Sequence, residues 1–107
     1  MIYHKPVLLK ESIEKLNIKK NGVYVDCTFG SGGHSKEIIA KLGNSGKLIS
    51  FDCDQISLNY VSELDRLNNF YFIRDNFSNL KYHLEELKIS KVDGFIFDLG
   101  LSSMQID

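Results

Sequence analysis

Residues 23–35 read Val23-Tyr24-Val25-Asp26-Cys27-Thr28-Phe29-Gly30-Ser31-Gly32-Gly33-His34-Ser35, a short apolar run that passes through an acid into a glycine loop. Three glycines in four positions let the backbone turn sharply and approach a ligand closely. The N–H groups that open the following helix point into the same space. An ordinary strand-to-helix turn can look the same, so the loop gains meaning only from what surrounds it.

Upstream, Leu9, Ile13 and Leu16 recur at helical spacing among Lys10, Glu11, Glu14 and Lys15, and Pro6 suits a first turn, so 6–16 reads as an amphipathic helix broken by Asn21-Gly22. Val23 to Cys27 is the first strand. Downstream, Ser35 to Leu42 reads as a helix with Ile38, Ile39 and Leu42 on one face, closed by Gly43 to Gly46. Lys47 to Phe51 is the second strand, Asp54 to Leu67 a helix, Phe70 to Ile73 the third strand, Ser78 to Leu87 a helix and Val92 to Leu99 the fourth strand. Strands as continuously apolar as LISF and FIF, alternating with helices, predict an α/β protein whose parallel sheet is covered on both faces. With right-handed crossovers this is a Rossmann-like, doubly wound fold, whose ligand sits at the carboxyl ends of the strands.

The whole sequence of 107 residues carries 13 Lys and Arg against 14 Asp and Glu, a formal charge of -1, with 43% hydrophobic residues. It reads as one globular domain, 1–107, without repeats or a linker. A near-zero charge argues against a free-standing nucleic-acid binder, which needs a basic surplus for phosphates, so an RNA partner must be held locally or by other residues. No apolar run approaches the ~20 residues of a membrane span and no charged start leads into a signal-peptide core, so the expected location is cytoplasmic, with no membrane partner. Cys27 and Cys53 lack metal-ligand spacing and stand in apolar runs; both read as small buried residues, with no disulfide and no metal site.

The residues that carry chemistry stand at the strand ends. Asp52 closes the second strand, 22 positions beyond Gly30, where an acid reaches the ribose hydroxyls of an adenosine-type cofactor; Asp54 reads as a cap of the next helix. Asp26 would repel the phosphates of a dinucleotide or a nucleoside triphosphate, and no phosphate-loop lysine is present. S-adenosylmethionine has no phosphate and carries a sulfonium and an ammonium, so a nearby carboxylate favours it. Anchoring of the loop through backbone N–H groups is an equal and compatible role for Asp26. After the third strand, Phe77 offers an apolar face for adenine and Asp75 or Asn76 a partner for its amino edge. Phe77 as a core staple with Ser78 as the helix cap explains the same residues. After the fourth strand, Asp98 leaves a buried run into Gly100, Ser102, Ser103 and Gln105, which suits a meeting of substrate and cofactor, or a solvated loop.

Taken together, these segments resemble the ribosomal RNA small subunit methyltransferase H (MraW) family, whose members use S-adenosylmethionine to methylate a cytosine N4 amino group of 16S rRNA. The resemblance runs from His4-Lys5-Pro6-Val7-Leu8-Leu9 through TFGSGGHS at 28–35, Phe51-Asp52-Cys53-Asp54 and Asn76-Phe77 to DGFIFDLGLSSMQID at 93–107. It implies a partial class I S-adenosylmethionine-dependent methyltransferase fold. It also implies that Gly32, Gly33 and His34 contact the cofactor, Asp52 its ribose and Phe77 its adenine, with Asp98 and Gln105 completing the pocket. Met104 stands where some members have proline. The implied partner is 16S rRNA within the small ribosomal subunit, with no DNA.

Methyl transfer to an exocyclic amine is an in-line displacement whose developing positive charge needs a nearby anion, and Asp98 is the catalytic candidate. His34, at a helix start, serves better through its backbone N–H, and the lysines at 5, 10, 15, 19 and 20 read as a solvated helix face or as an RNA contact. Family members are longer. The expected strand order 3-2-1-4 leaves the fourth strand, with Phe95, Ile96 and Phe97, as an edge, and the chain is expected to be a fragment of marginal solubility, inactive alone. Two alternatives are a non-catalytic S-adenosylmethionine-binding module and an NAD-dependent oxidoreductase; the second lacks GxGxxG spacing in Gly30-Ser31-Gly32-Gly33.

Overall fold

A computed structural model of the protein describes residues 13–97. Within them the chain runs β1 (Val23–Asp26), α1 (Gly33–Lys41), β2 (Lys47–Phe51), a 3-10 turn (Gln55–Ser57), α2 (Leu58–Val61), β3 (Phe70–Ile73), a second 3-10 turn (Phe77–Asn79), α3 (Leu80–Glu86) and β4 (Gly94–Ile96). The four strands form one parallel sheet in the order β3-β2-β1-β4. Register places Val25 beside Ile49 and Phe95, and Ile49 beside Tyr71. That order is the expected one, and the step from β2 to β3 and back across to β4 is what puts helices on both faces.

Alternation along the strands divides the core in two. Tyr24, Leu48, Phe70 and Ile96 pack on one face with Ile13, Ile38, Val61 and Leu64. Val25, Cys27, Ile49 and Phe51 pack on the other against Leu80 and Leu84 of α3. Leu48 and Ile49 are neighbours in sequence and both are fully buried, one in each layer, each contributing roughly 2 kcal/mol of apolar burial. Because both sides of the sheet are covered, the strands lack the polar alternation of a half-exposed sheet.

Four sequence expectations shift in the structure. The helix over 54–67 is shorter: Val61, Leu64 and Leu67 point inward at a spacing of three, and the N–H groups of Leu64 and Leu67 donate to the carbonyls three residues back, a tighter winding than an α-helix. Asn17, at φ 51, lies just past the helical residues 13–16 and turns the chain before Asn21-Gly22 is reached. Ser78 does not cap the fourth helical segment; the Asn76 side chain does, accepting from the Ser78 N–H at 2.9 Å. Cys53 is exposed, because β2 ends at Phe51 and the chain has already turned into solvent. The rest of the 6–16 helix and the end of the strand to Leu99 lie outside the described residues.

The two cysteines should therefore behave oppositely. Burial, aided by the neighbouring Asp26 charge, pushes the Cys27 thiol up to about 12. The thiolate is the reactive form, so a thiol reagent at pH 8 is expected to label Cys53 rapidly and Cys27 only after unfolding. Mass mapping of the labelled peptides checks this; rapid labelling of Cys27 in the folded protein would contradict it. No helix among the described residues is long and apolar enough to cross a membrane, and none of their His, Cys, Asp and Glu side chains are grouped to hold a metal ion.

Candidate functional site

The carboxyl ends of β1, β2 and β3 meet at one edge of the sheet, and backbone bonds tie them together. The Phe29 N–H donates to the Phe51 carbonyl at 2.8 Å, and the Asp52 N–H to the Ile73 carbonyl at 3.2 Å. The Cys27 N–H donates to the Ile96 carbonyl at 2.9 Å, joining β4 to the same edge. The loop after β1 thus rests on the ends of its neighbours before any side chain is considered.

Beneath the loop is a buried polar network. Asp26 is fully buried; its Oδ1 accepts from the Thr28 N–H at 3.1 Å and its Oδ2 from the Ser35 hydroxyl at 2.7 Å. The Ser35 and Ser50 hydroxyls are bonded at 2.7 Å, so the network links β1, the start of α1 and β2. Charge-assisted bonds of this length are the stronger kind, and they fix the helix start relative to the sheet. Of the two roles open to Asp26, anchoring is the one this geometry displays.

Gly30 and Gly32 both have positive φ, 58° and 88°. At Gly32 an added Cβ would also come within 3.0 Å of the Phe29 ring, which is buried below the loop against Phe70 and Phe72. Gly32 caps α1, Gly33 begins it, and His34 stands half-buried in its first turn.

Asp52 faces this loop from the end of β2. Its Oδ2 accepts from the Gly30 N–H at 2.7 Å and its Oδ1 from the Asp54 N–H at 2.9 Å. A carboxylate offers about four acceptor positions, so each oxygen keeps capacity for a hydroxyl. With these bonds the N–H groups of Thr28, Phe29, Gly30 and Gly32 all donate within the protein, the last to the Phe29 carbonyl at 2.8 Å. A phosphate-binding loop needs such N–H groups directed at its ligand, and this loop spends them on carboxylates and carbonyls.

The third wall follows β3. Asp75 accepts at 2.6 Å from the Asn76 N–H, at 3.0 and 3.1 Å from the Asn79 amide, and lies 2.8 Å from His83 Nε2. The bond to His83, then those to Asn76 and Asn79, hold the Asp75 carboxyl below its usual range. Both residues read as partners for an adenine amino edge are thus engaged locally, Asp75 in this cluster and Asn76 as the cap on Ser78. Phe77 is 39% exposed, its ring edge-on to Phe97 at 5.2 Å, so it is not a core staple. Asp98 and Gln105 lie outside the described residues. Among these residues the sequence reading missed Ser50 and His83; a serine inside the otherwise apolar run LISF was a visible signal, whereas Asp75 and His83 are joined only through a turn geometry that spacing does not show.

The family model for the MraW methylase family matches residues 1–107. The chain belongs to this family. One relative, the ribosomal RNA small subunit methyltransferase H of Ureaplasma parvum, is 57% identical over 105 residues, 97% of this chain and 34% of that protein. The chain therefore spans about a third of the length of the curated relatives it matches. Solved structures of lower identity share the fold of this MraW-family chain. A rRNA methylase from Streptococcus thermophilus aligns with a TM-score of 0.54 at 24% identity, covering 78% of this chain and 49% of that one. Coclaurine N-methyltransferase, bound to N-methylheliamine and SAH, aligns with a TM-score of 0.57 at 16% identity, covering 67% and 22%. The fold is the Rossmann-like one of class I methyltransferases.

Proposed function

We propose that the strand-end site binds S-adenosylmethionine and that the chain is the cofactor-holding part of an rRNA methyltransferase that modifies a cytosine N4 amino group of 16S rRNA. The observation that carries the cofactor reading is the Gly30–Asp52 bond. It engages the Gly30 donor of the glycine loop and stations a carboxylate at its mouth, an arrangement that suits a ribose and a cationic sulfonium better than a phosphate. Asp52 would accept from the ribose hydroxyls; Gly32, Gly33 and His34 would line the amino-acid portion; Phe77 would cover the adenine. S-adenosylmethionine supplies an activated methyl group. Asp98 would face the target amine, and Gln105 would close the pocket; both roles rest on family resemblance.

The proposal extends to presentation of the RNA within the small ribosomal subunit and to a cytoplasmic location; the relative's name, a ribosomal RNA small subunit methyltransferase, supports the rRNA substrate. The test is methyl transfer from labelled S-adenosylmethionine to small subunits whose rRNA lacks the modification, using the family's full length. The reading expects label in a single cytosine of 16S rRNA and loss of that label with Asp98→Asn. Label elsewhere, or turnover unaffected by that substitution, would overturn the assignment.

A further inference from the structure

The turn that carries Phe77 is fastened at both of its ends, by side chains of Asp75, Asn76, Asn79 and His83. Asp75 bonds back to its own successor, to Asn79 at the end of the 3-10 turn, and to His83 within α3. Asn76 accepts from the Ser78 N–H, and the Asn79 N–H donates to the Asn76 carbonyl at 3.1 Å. The five residues from 75 to 79 are thus one hydrogen-bonded unit. His83 ties that unit to the sheet, because its ring packs edge-on to Phe51 at 5.6 Å. Phe51 is buried at the end of β2, one residue before Asp52. Phe77 itself is weakly held: it is 39% exposed and its described ring contact is Phe97.

We infer that His83 and Asn79 are positioning residues for the cofactor: through Asp75 they set the place of Phe77 relative to the end of β2, and so the distance between the adenine wall and the ribose carboxylate. The inference rests on the reading of the strand ends as an adenosine-cofactor site. An aromatic wall contributes to affinity only when it is already in place, since ordering a loose side chain on binding offsets the gain. Asp75 alone could not do this, because a carboxylate held only by its neighbour's N–H would move with the turn.

The test is calorimetric titration of the protein with S-adenosylhomocysteine, for the parent chain, Asn79→Ala, His83→Ala, His83→Gln, Phe77→Ala and the doubles combining Phe77→Ala with each alanine variant. Asn79 is exposed, so its replacement leaves the core intact if His83→Ala does not fold. The expected result is about tenfold weaker binding for His83→Ala and Asn79→Ala, with His83→Gln, which still offers a donor, near the parent. In the Phe77→Ala background the same alanine substitutions should add almost nothing, the non-additivity of residues that act through one another. Effects that are absent, or that persist in full without Phe77, overturn the inference while leaving the cofactor reading intact. A folded parent chain that binds no S-adenosylhomocysteine overturns the cofactor reading itself, and this inference with it.

Discussion

Asp52→Ala is expected to weaken binding of S-adenosylhomocysteine about 100-fold while changing stability by no more than about 1 kcal/mol. The two effects separate because the carboxylate has two kinds of partner. Its bonds to the Gly30 and Asp54 N–H groups lie at the surface, so water replaces them when the side chain is removed. Ribose hydroxyls of a bound cofactor would be different: each would give a charge-assisted bond in a site the ligand itself shields, where a lost bond costs roughly 1.5–3 kcal/mol. Asp52→Asn keeps one acceptor and should lose about tenfold. Calorimetry measures the affinities, and urea unfolding of the same samples measures the stabilities. Equal affinity for the parent and Asp52→Ala would remove Asp52 from the site.

The opposite pattern is expected at Asp26. Its side chain is fully buried, and the Thr28 N–H and the Ser35 hydroxyl both depend on it. Asp26→Ala leaves the Thr28 donor without its acceptor and the Ser35 hydroxyl with Ser50 alone, a loss of about 3 kcal/mol from a domain of ordinary stability. Ser35→Ala should cost somewhat less, about 2 kcal/mol, since it removes the hydroxyl's two bonds, to Asp26 and to Ser50, but leaves the Thr28 N–H with its carboxylate acceptor. Affinity measured on whatever fraction stays folded should fall less than at Asp52, because Asp26 acts by shaping the loop. If Asp26→Ala left the urea midpoint unmoved but abolished binding, Asp26 would be a ligand contact and the anchoring role would be wrong.

These two acids also show how far a sequence reading reaches. The strand boundaries of β2 and β3 were legible to the residue, because LISF and FYFI are continuous apolar runs with polar or glycine flanks. Asp52 could be placed from its distance beyond Gly30, since one β-α-β unit brings the two strand ends side by side. Asp26 was harder: a carboxylate at a strand end can face the ligand or turn beneath the loop, and only coordinates distinguish these. The segment 54–67 was misread for a similar reason. Its composition suits a helix, but its inward residues recur every three positions, and that winding is imposed by packing against the sheet. Cys53 read as buried, yet it stands between Asp52 and Asp54 just past the last strand residue, where alternation no longer applies. The Asp75 clamp depends on where a 3-10 turn gives way to α3, which no pattern of residue types specifies.

Phe95 on the edge strand β4 and Phe97 just past it are exposed, and Phe97 meets the Phe77 ring at 5.2 Å. Neither lies among the bonds that join the ends of β1 and β2. A groove beside α3 is lined by Leu80, Leu84 and Ile89, with Lys81, Glu85, Lys88 and Ser90 around them. It is the natural competitor for any small molecule that binds without using the glycine loop.

The most direct measurement is therefore an amide NMR titration of the protein with S-adenosylhomocysteine, with NAD in parallel. The account predicts that S-adenosylhomocysteine shifts the amides of residues 30–34, 52–54 and 75–77 together, with one dissociation constant, and that NAD shifts none of them. Shifts confined to residues 80–90, or a response of the glycine loop to NAD equal to that for S-adenosylhomocysteine, would contradict it.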